Sequence, residues 1–209
     1  MDKTMIVSEI SDGQIDTAAD QLRAAMRKHR SEVTKDAAQL ALGADNLGMR
    51  LFAVFRELAE MMSGLIVHHV KVNRTRSPEQ ALIATGRKLY VTDSVVAAMP
   101  HGKGERVKLV YFEPSPDAYD KNRVMSCAAL EREYDKHGLE PDPIAQAADN
   151  EADPAFADAH PNACQWKDAD GNYCYAALYR WYGECRVFVG RRGNDWIDGW
   201  LFAGRRKAS

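Results

Sequence analysis

Apolar residues recur every three or four positions over Ile15, Ala18, Ala19, Leu22 and Met26, and more densely over Leu47, Leu51, Val54, Phe55, Leu58, Met62 and Leu65. A repeat close to 3.6 gathers such residues on one face, so both stretches predict amphipathic helices. Between them, "HRSEVTKDAAQLALGADN" offers Ser31 as an N-cap and Gly43 as a stop, which predicts a further helix. At Leu65 the period changes. "LIVHHVKVNR" is rich in β-branched residues and predicts a strand with Ile66, His68, Val70 and Val72 on one face. His68 and His69 therefore face opposite ways, and the inward one is expected to be buried and hydrogen-bonded.

The pattern beyond this strand is shorter in wavelength and heavily punctuated, with all eight prolines between Pro78 and Pro161. "SPEQALIATG" combines a serine cap, proline at the first helical position and a glycine stop, the signature of a compact helix. A second short helix is predicted from Asp93 to just before Pro100, followed by the strand "RVKLVYFEP". "SCAALEREYDKHG" predicts a serine-capped helix closed by Gly138, and "DPIAQAADNEADPAFADAHP" one or two short acidic helices. The tail predicts a meander of strands around "CQWKD", "YCYAALYRW" and "CRVFV", with "WLFAGRR" as a fourth. The expected fold is α+β: an N-terminal helical hairpin over residues 1–65, then a domain of residues 66–209 with a mainly antiparallel sheet and short helices on one face.

Composition adds boundaries. At 209 residues and 45% hydrophobic the chain can bury a core, and its longest apolar stretch is interrupted by Arg56, Glu57 and Glu60, which argues against a membrane span. The start "MDKTMIVSEISDG" lacks the apolar core of a secretory signal, so a cytoplasmic protein with reduced thiols is expected. The net charge of −2 is unevenly spread: residues 71–112 carry eight Lys/Arg against three Asp/Glu, residues 113–161 four against twelve, and residues 162–209 eight against five. An acidic middle with basic flanks suggests separate docking surfaces.

Candidate chemistry is sparse. "DADG" lies between two β-rich runs and has the residues of a tight hairpin turn; as a calcium loop it fails, with Asn172 at position 5 and Tyr179 at position 12. His160, Cys164, Cys174 and Cys185 have ligand chemistry for zinc, but cysteines nine and ten residues apart on successive strands do not form the close pairs that such sites use, and no metal or other cofactor is expected. Cys127, after Ser126 at a helix start, is the one thiol that a helix dipole would activate; packing in the first turn is the expected role. "HGKGER" reads as a loop, with anion binding as the alternative. Glu131, Glu133, Asp135, Asp149, Glu151, Asp153 and Asp158 alternate on helices as solvated faces do. In the tail, Tyr179 and Trp181 share strand parity with Tyr173 and Tyr175, among Arg180, Arg186, Arg191, Arg192, Arg205, Arg206 and Lys207. Rings for bases and guanidinia for phosphates are what a nucleic-acid sheet needs; the simpler expectation is a core face of rings with arginines outside.

Taken together, "SPEQALIATGRKLYVTDSVVAAMPHGKGE", the strand ending "FEP", "ALEREYDKHGLEPDPIAQAADNEADPAFADAHPN" and "WKDADGNYCYAALYRW…WLFAGRRK" resemble a family of bacterial and mobile-element proteins with no known activity. The resemblance covers residues 66–207 and implies a module of strands and helices ending in a β-meander, with the front helices as an addition. With no catalytic motif, a methionine-containing amphipathic helix (Met49, Met61, Met62) and segregated charge, the chain is expected to be a non-enzymatic binding protein of a bacterial accessory or mobile-element locus. Its expected partner is a protein, with homodimerisation through the N-terminal helices. A nucleic-acid binder using Arg180, Arg186, Arg191, Arg192, Arg205, Arg206, Tyr179 and Trp181 is the first alternative, and an enzyme whose site is invisible in one sequence the second.

Overall fold

Ser11 opens the first helix: its hydroxyl accepts from the Gln14 N–H, while the Gln14 side chain accepts from the Ser11 N–H, so two donors at the helix start are satisfied reciprocally. This helix, α1, runs Asp12–Lys28. Ser31 then falls in a 3-10 turn, Arg30–Glu32, and the cap of α2 (Lys35–Leu42) is instead Thr34, whose hydroxyl accepts from Ala37 N–H at 3.3 Å. Extended backbone at Val33 displaces the start by three residues from the position that the sequence suggests; Gly43 is the C-cap as expected. The third helix, α3, spans Leu47–Met62. In this computed structural model residues 10–62, 64–193 and 195–207 are described, and the chain divides into units 1–59 and 60–209.

In the second unit the strands are β1 (Ile66–Lys71), β2 (Lys88–Val91), β3 (Arg106–Phe112), β4 (Val124–Met125), β5 (Leu139–Glu140), β6 (Asn162–Lys167), β7 (Tyr173–Trp181), β8 (Glu184–Arg191), β9 (Trp196–Ile197) and β10 (Leu201–Arg206). The main sheet runs β1-β3-β10-β6-β7-β8-β2, antiparallel except where β10 meets β6 and β2 meets β8; β5 adds to β10, and β4 with β9 makes a separate ribbon. The chain is thus an α+β protein with a mainly antiparallel mixed sheet.

The tail forms its meander through β6, β7 and β8, but β10 leaves it and inserts between β3 and β6. Phe202, Ala203 and Gly204 are all buried, so this short segment is covered on both faces and fits a central position better than an edge. Glycine is needed at 204 because a Cβ there would lie 3.0 Å from the Tyr134 ring and from the Glu140 carbonyl.

Side-chain alternation sorts the core into two clusters. On one face α4 (Pro78–Ala84), α5 (Asp93–Ala97), α7 (Pro143–Ala152) and α8 (Pro154–Ala159) contribute Leu82, Val95, Ile144 and Phe156 over Leu109, Tyr111, Leu178 and Val187. On the other, α6 (Cys127–Lys136) and Trp196 cover Val110, Phe112, Ala177 and Phe202.

α7 buries polar side chains. Gln146 and Asn150 are fully enclosed and share Asn162, whose Oδ1 accepts from Gln146 Nε2 at 2.7 Å and from Asn150 Nδ2 at 3.4 Å. Asp142, also fully enclosed, caps the helix by accepting from Ala145 N–H at 3.0 Å and takes both Arg74 guanidinium nitrogens at 2.8 and 2.6 Å. Arg74 also donates to the carbonyls of His101 and Gly104. "HGKGER" is therefore a clamped structural loop. Gly102 has φ +62° and no room for a side chain, since a Cβ would sit 2.2 Å from an Asp142 carboxylate oxygen.

Candidate interaction surfaces

Among the described residues, the N-terminal helices carry a row of exposed apolar side chains. None of the described residues of α1 or α2 is buried. Ile15, Leu22 and Met26 of α1 and Met49, Leu51, Phe52, Val54, Phe55, Leu58 and Met62 of α3 are exposed, Val54 at 57% and Met62 at 88%. On α1 they border a groove of about 420 Å³ lined by Ala19, Leu22 and Met26 together with Arg23, Arg27 and Arg30. Water-exposed leucine and valine forfeit about 1.5–3 kcal/mol each relative to burial, so a repeated stripe of them marks a surface that is completed by something else. The charges of α1 are also ordered: Asp12, Asp16 and Asp20 precede Arg23, Arg27 and Lys28.

The tail residues are spread over the sheet, Arg180 and Arg191 at opposite ends of the β7/β8 pair and Arg205 and Arg206 on β10 beyond β6, and their chemistry is largely consumed locally. Arg180 binds Asp158 at 2.6 Å and the Gly183 carbonyl at 2.9 Å; Arg186 binds Glu184 at 2.6 Å; Arg191 binds Asp168 at 3.1 Å. Arg192 lies 3.9 Å over the Trp196 ring, and Arg205 pairs with Glu140 and approaches Asp142 at 3.7 Å. Arg206 donates to the His137 carbonyl at 2.5 Å. The rings are similarly occupied: Tyr90 stacks on Phe188 at 4.7 Å and 8°, and Tyr179 on the other side of the row at 5.8 Å and 24°. Rings standing on neighbouring strands cover each other's faces, which leaves edges, not faces, for a nucleobase. Trp181 is exposed and meets Tyr182 edge-on. Tyr90 and Phe188, which complete this row, were not legible in sequence because parallel pairing of β2 with β8 joins segments about a hundred residues apart.

Glu184 ties this edge together, accepting from Lys88 Nζ and Tyr90 OH at 2.9 Å as well as from Arg186. Hydrogen bonding to Lys88, then to Tyr90, holds its carboxyl down at about 2, against an ordinary 4.5. A depressed carboxylate stabilises the fold above its unfolded value and loses that contribution as pH falls through the folded one. The melting-temperature difference between wild type and Glu184→Gln is therefore expected to be full above pH 4.5 and to shrink toward pH 2; a difference constant with pH would refute the assignment.

The inward histidine is His68. Its Nδ1 lies 2.8 Å from Asp149 Oδ2, which also accepts from Tyr111 OH at 2.6 Å, and its ring packs edge-on against Phe156. Asp149 is buried at 6% exposure, and Glu133, at 7%, accepts from the Ser115 N–H and hydroxyl at 2.9 Å each. The reading of these acids as uniformly solvated is thereby corrected: two of them anchor helices. The His68–Asp149 pair joins β1 to α7.

Cys164 pairs with Ala176 in the β6/β7 register while Cys174 pairs with Trp166, so the two thiols are diagonal. Among the described residues no group of three or more His, Cys, Asp or Glu side chains is placed to hold a metal. The DADG turn is held by Asp168, which accepts from Asp170 and Asn172 N–H at 3.0 and 2.9 Å, with Gly171 at φ +81°. Burial pushes the thiols of Cys127, Cys164 and Cys174 up, which outweighs any activation that the helix start could give Cys127. Cys185 is half-exposed. Labelling of the folded protein with a thiol reagent at neutral pH is expected to modify Cys185 alone on the fast timescale, and Cys185→Ser to remove that phase; a persisting fast phase would refute this.

Comparison with family models, curated proteins and solved structures gives no match. Among the described residues no helix is long and apolar enough to cross a membrane.

Proposed function

We propose that this protein works by binding protein, and that the partner on its N-terminal helices is a second copy of the chain. The supporting observation is the apolar stripe of α1 and α3, with no buried residue among the described residues of α1 or α2. Helices of this kind derive most of their stability from packing of the apolar face, so the stripe calls for a partner. The charge order of α1 favours self-pairing: antiparallel copies set Asp12, Asp16 and Asp20 against Arg23, Arg27 and Lys28, whereas parallel copies set like against like. Sedimentation of the full chain over a wide concentration range tests this. A concentration-dependent dimer is expected; a monomer at every concentration would overturn the self-association reading.

A further inference from the structure

Positive charge is concentrated on the antiparallel β1/β3 pair in an arrangement unlike that of the tail. In the antiparallel register His69 faces Lys108 and Lys71 faces Arg106. Alternation puts Val70, Val107 and Leu109 into the helix-covered core, so these four side chains project from the opposite face. His69, Lys71 and Arg106 are exposed, and Lys108 is half-buried. They border an open groove of about 470 Å³. The tail arginines each have an acidic, carbonyl or ring partner; among the described residues His69, Lys71 and Arg106 have none. Like charges placed directly opposite across strands, at about 5 Å, oppose strand pairing. The chain therefore holds cations together where its own sheet would be better served by mixed signs.

We propose that this face binds the phosphate backbone of double-stranded nucleic acid. Several features favour that occupant. The patch is an open strip in which Lys71 and Arg106 face each other with His69 and Lys108 about 6.6 Å further along the strands, suited to a line of phosphates and not to enclosing one phosphate group. Among the exposed large apolar side chains none lies on β1 or β3, so there is no wedge to enter a lipid surface. No Phe, Tyr or Trp ring on these two strands is exposed to stack an unpaired base, which points to duplex and to recognition without sequence preference. This site is independent of the N-terminal helices.

The test is fluorescence anisotropy of the full chain with a labelled mixed-sequence DNA duplex. Two to three phosphate contacts predict affinity falling roughly 10- to 40-fold between 50 and 200 mM salt. Lys71→Glu/Arg106→Glu is expected to weaken binding about tenfold or more at low salt. Lys71→Gln/Arg106→Gln should also weaken it while melting at or above the wild-type temperature, which separates lost binding from lost folding. Arg191→Glu/Arg192→Glu, an equal change in net charge on the tail, should retain binding. Wild-type affinity in the Lys71/Arg106 variants, absence of duplex binding at low salt, or loss only in the tail variant would overturn the proposal. Preference for phosphatidylserine vesicles over duplex would overturn the nucleic-acid assignment.

Discussion

Replacing Asp142 with alanine is expected to destabilise the 60–209 unit by about 3–5 kcal/mol, because a fully enclosed carboxylate is removed from beside charges that remain. Arg74 loses a two-pronged partner and Arg205 a nearby charge, and both side chains are more than four-fifths buried. The cap of α7 disappears as well. In a chain of this size such a loss lowers the melting temperature by roughly 6–20 °C. Asp142→Asn keeps an oxygen for the cap and is expected to fall between alanine and wild type. Glu151→Ala provides the contrast: its pair with Arg76 is about one-third exposed on both sides, so it should cost no more than about 1 kcal/mol. Thermal melts of the three variants decide the matter, and equal losses for Asp142→Ala and Glu151→Ala would refute the clamp.

The second large effect concerns association. Leu22→Glu/Leu51→Glu should convert the dimer to monomer: the two substitutions recur in both copies, and about 2 kcal/mol at each of the four side chains weakens association by well over about 10³-fold. Both residues lie in the N-terminal helices and are exposed in the isolated chain, so the melting of the 60–209 unit should stay unchanged. Charge gives an independent check. Asp16→Lys/Asp20→Lys should weaken self-association of that variant, and mixing it with Arg23→Glu/Arg27→Glu should restore pairing across chains. A variant pair that fails to recover when mixed would count against the antiparallel arrangement.

Much of the local structure was legible from residue order. The capped starts at Ser77 and Ser126, the stop at Gly138 and the Asp168–Gly171 turn rest on side chains that bond backbone within a few residues, which sequence displays directly. The inward turn of His68 follows from strand alternation alone. Thr34 displaced Ser31 as a cap because both are good caps and backbone geometry at Val33 chose between them.

The sequence by itself determined the amphipathic front, the α+β class and the alternation of each strand, because these depend on neighbours three or four residues away. Only the tertiary structure decided the insertion of β10 between β3 and β6, the burial of Asp142, Asp149 and Glu133, and the opposition of Lys71 to Arg106. Each of these depends on which distant segment lies alongside, and a carboxylate reads the same in sequence whether it meets water or a guanidinium from far along the chain. Arg74 and Asp142 are 68 residues apart, and their ion pair exists only because the sheet and α7 bring them together.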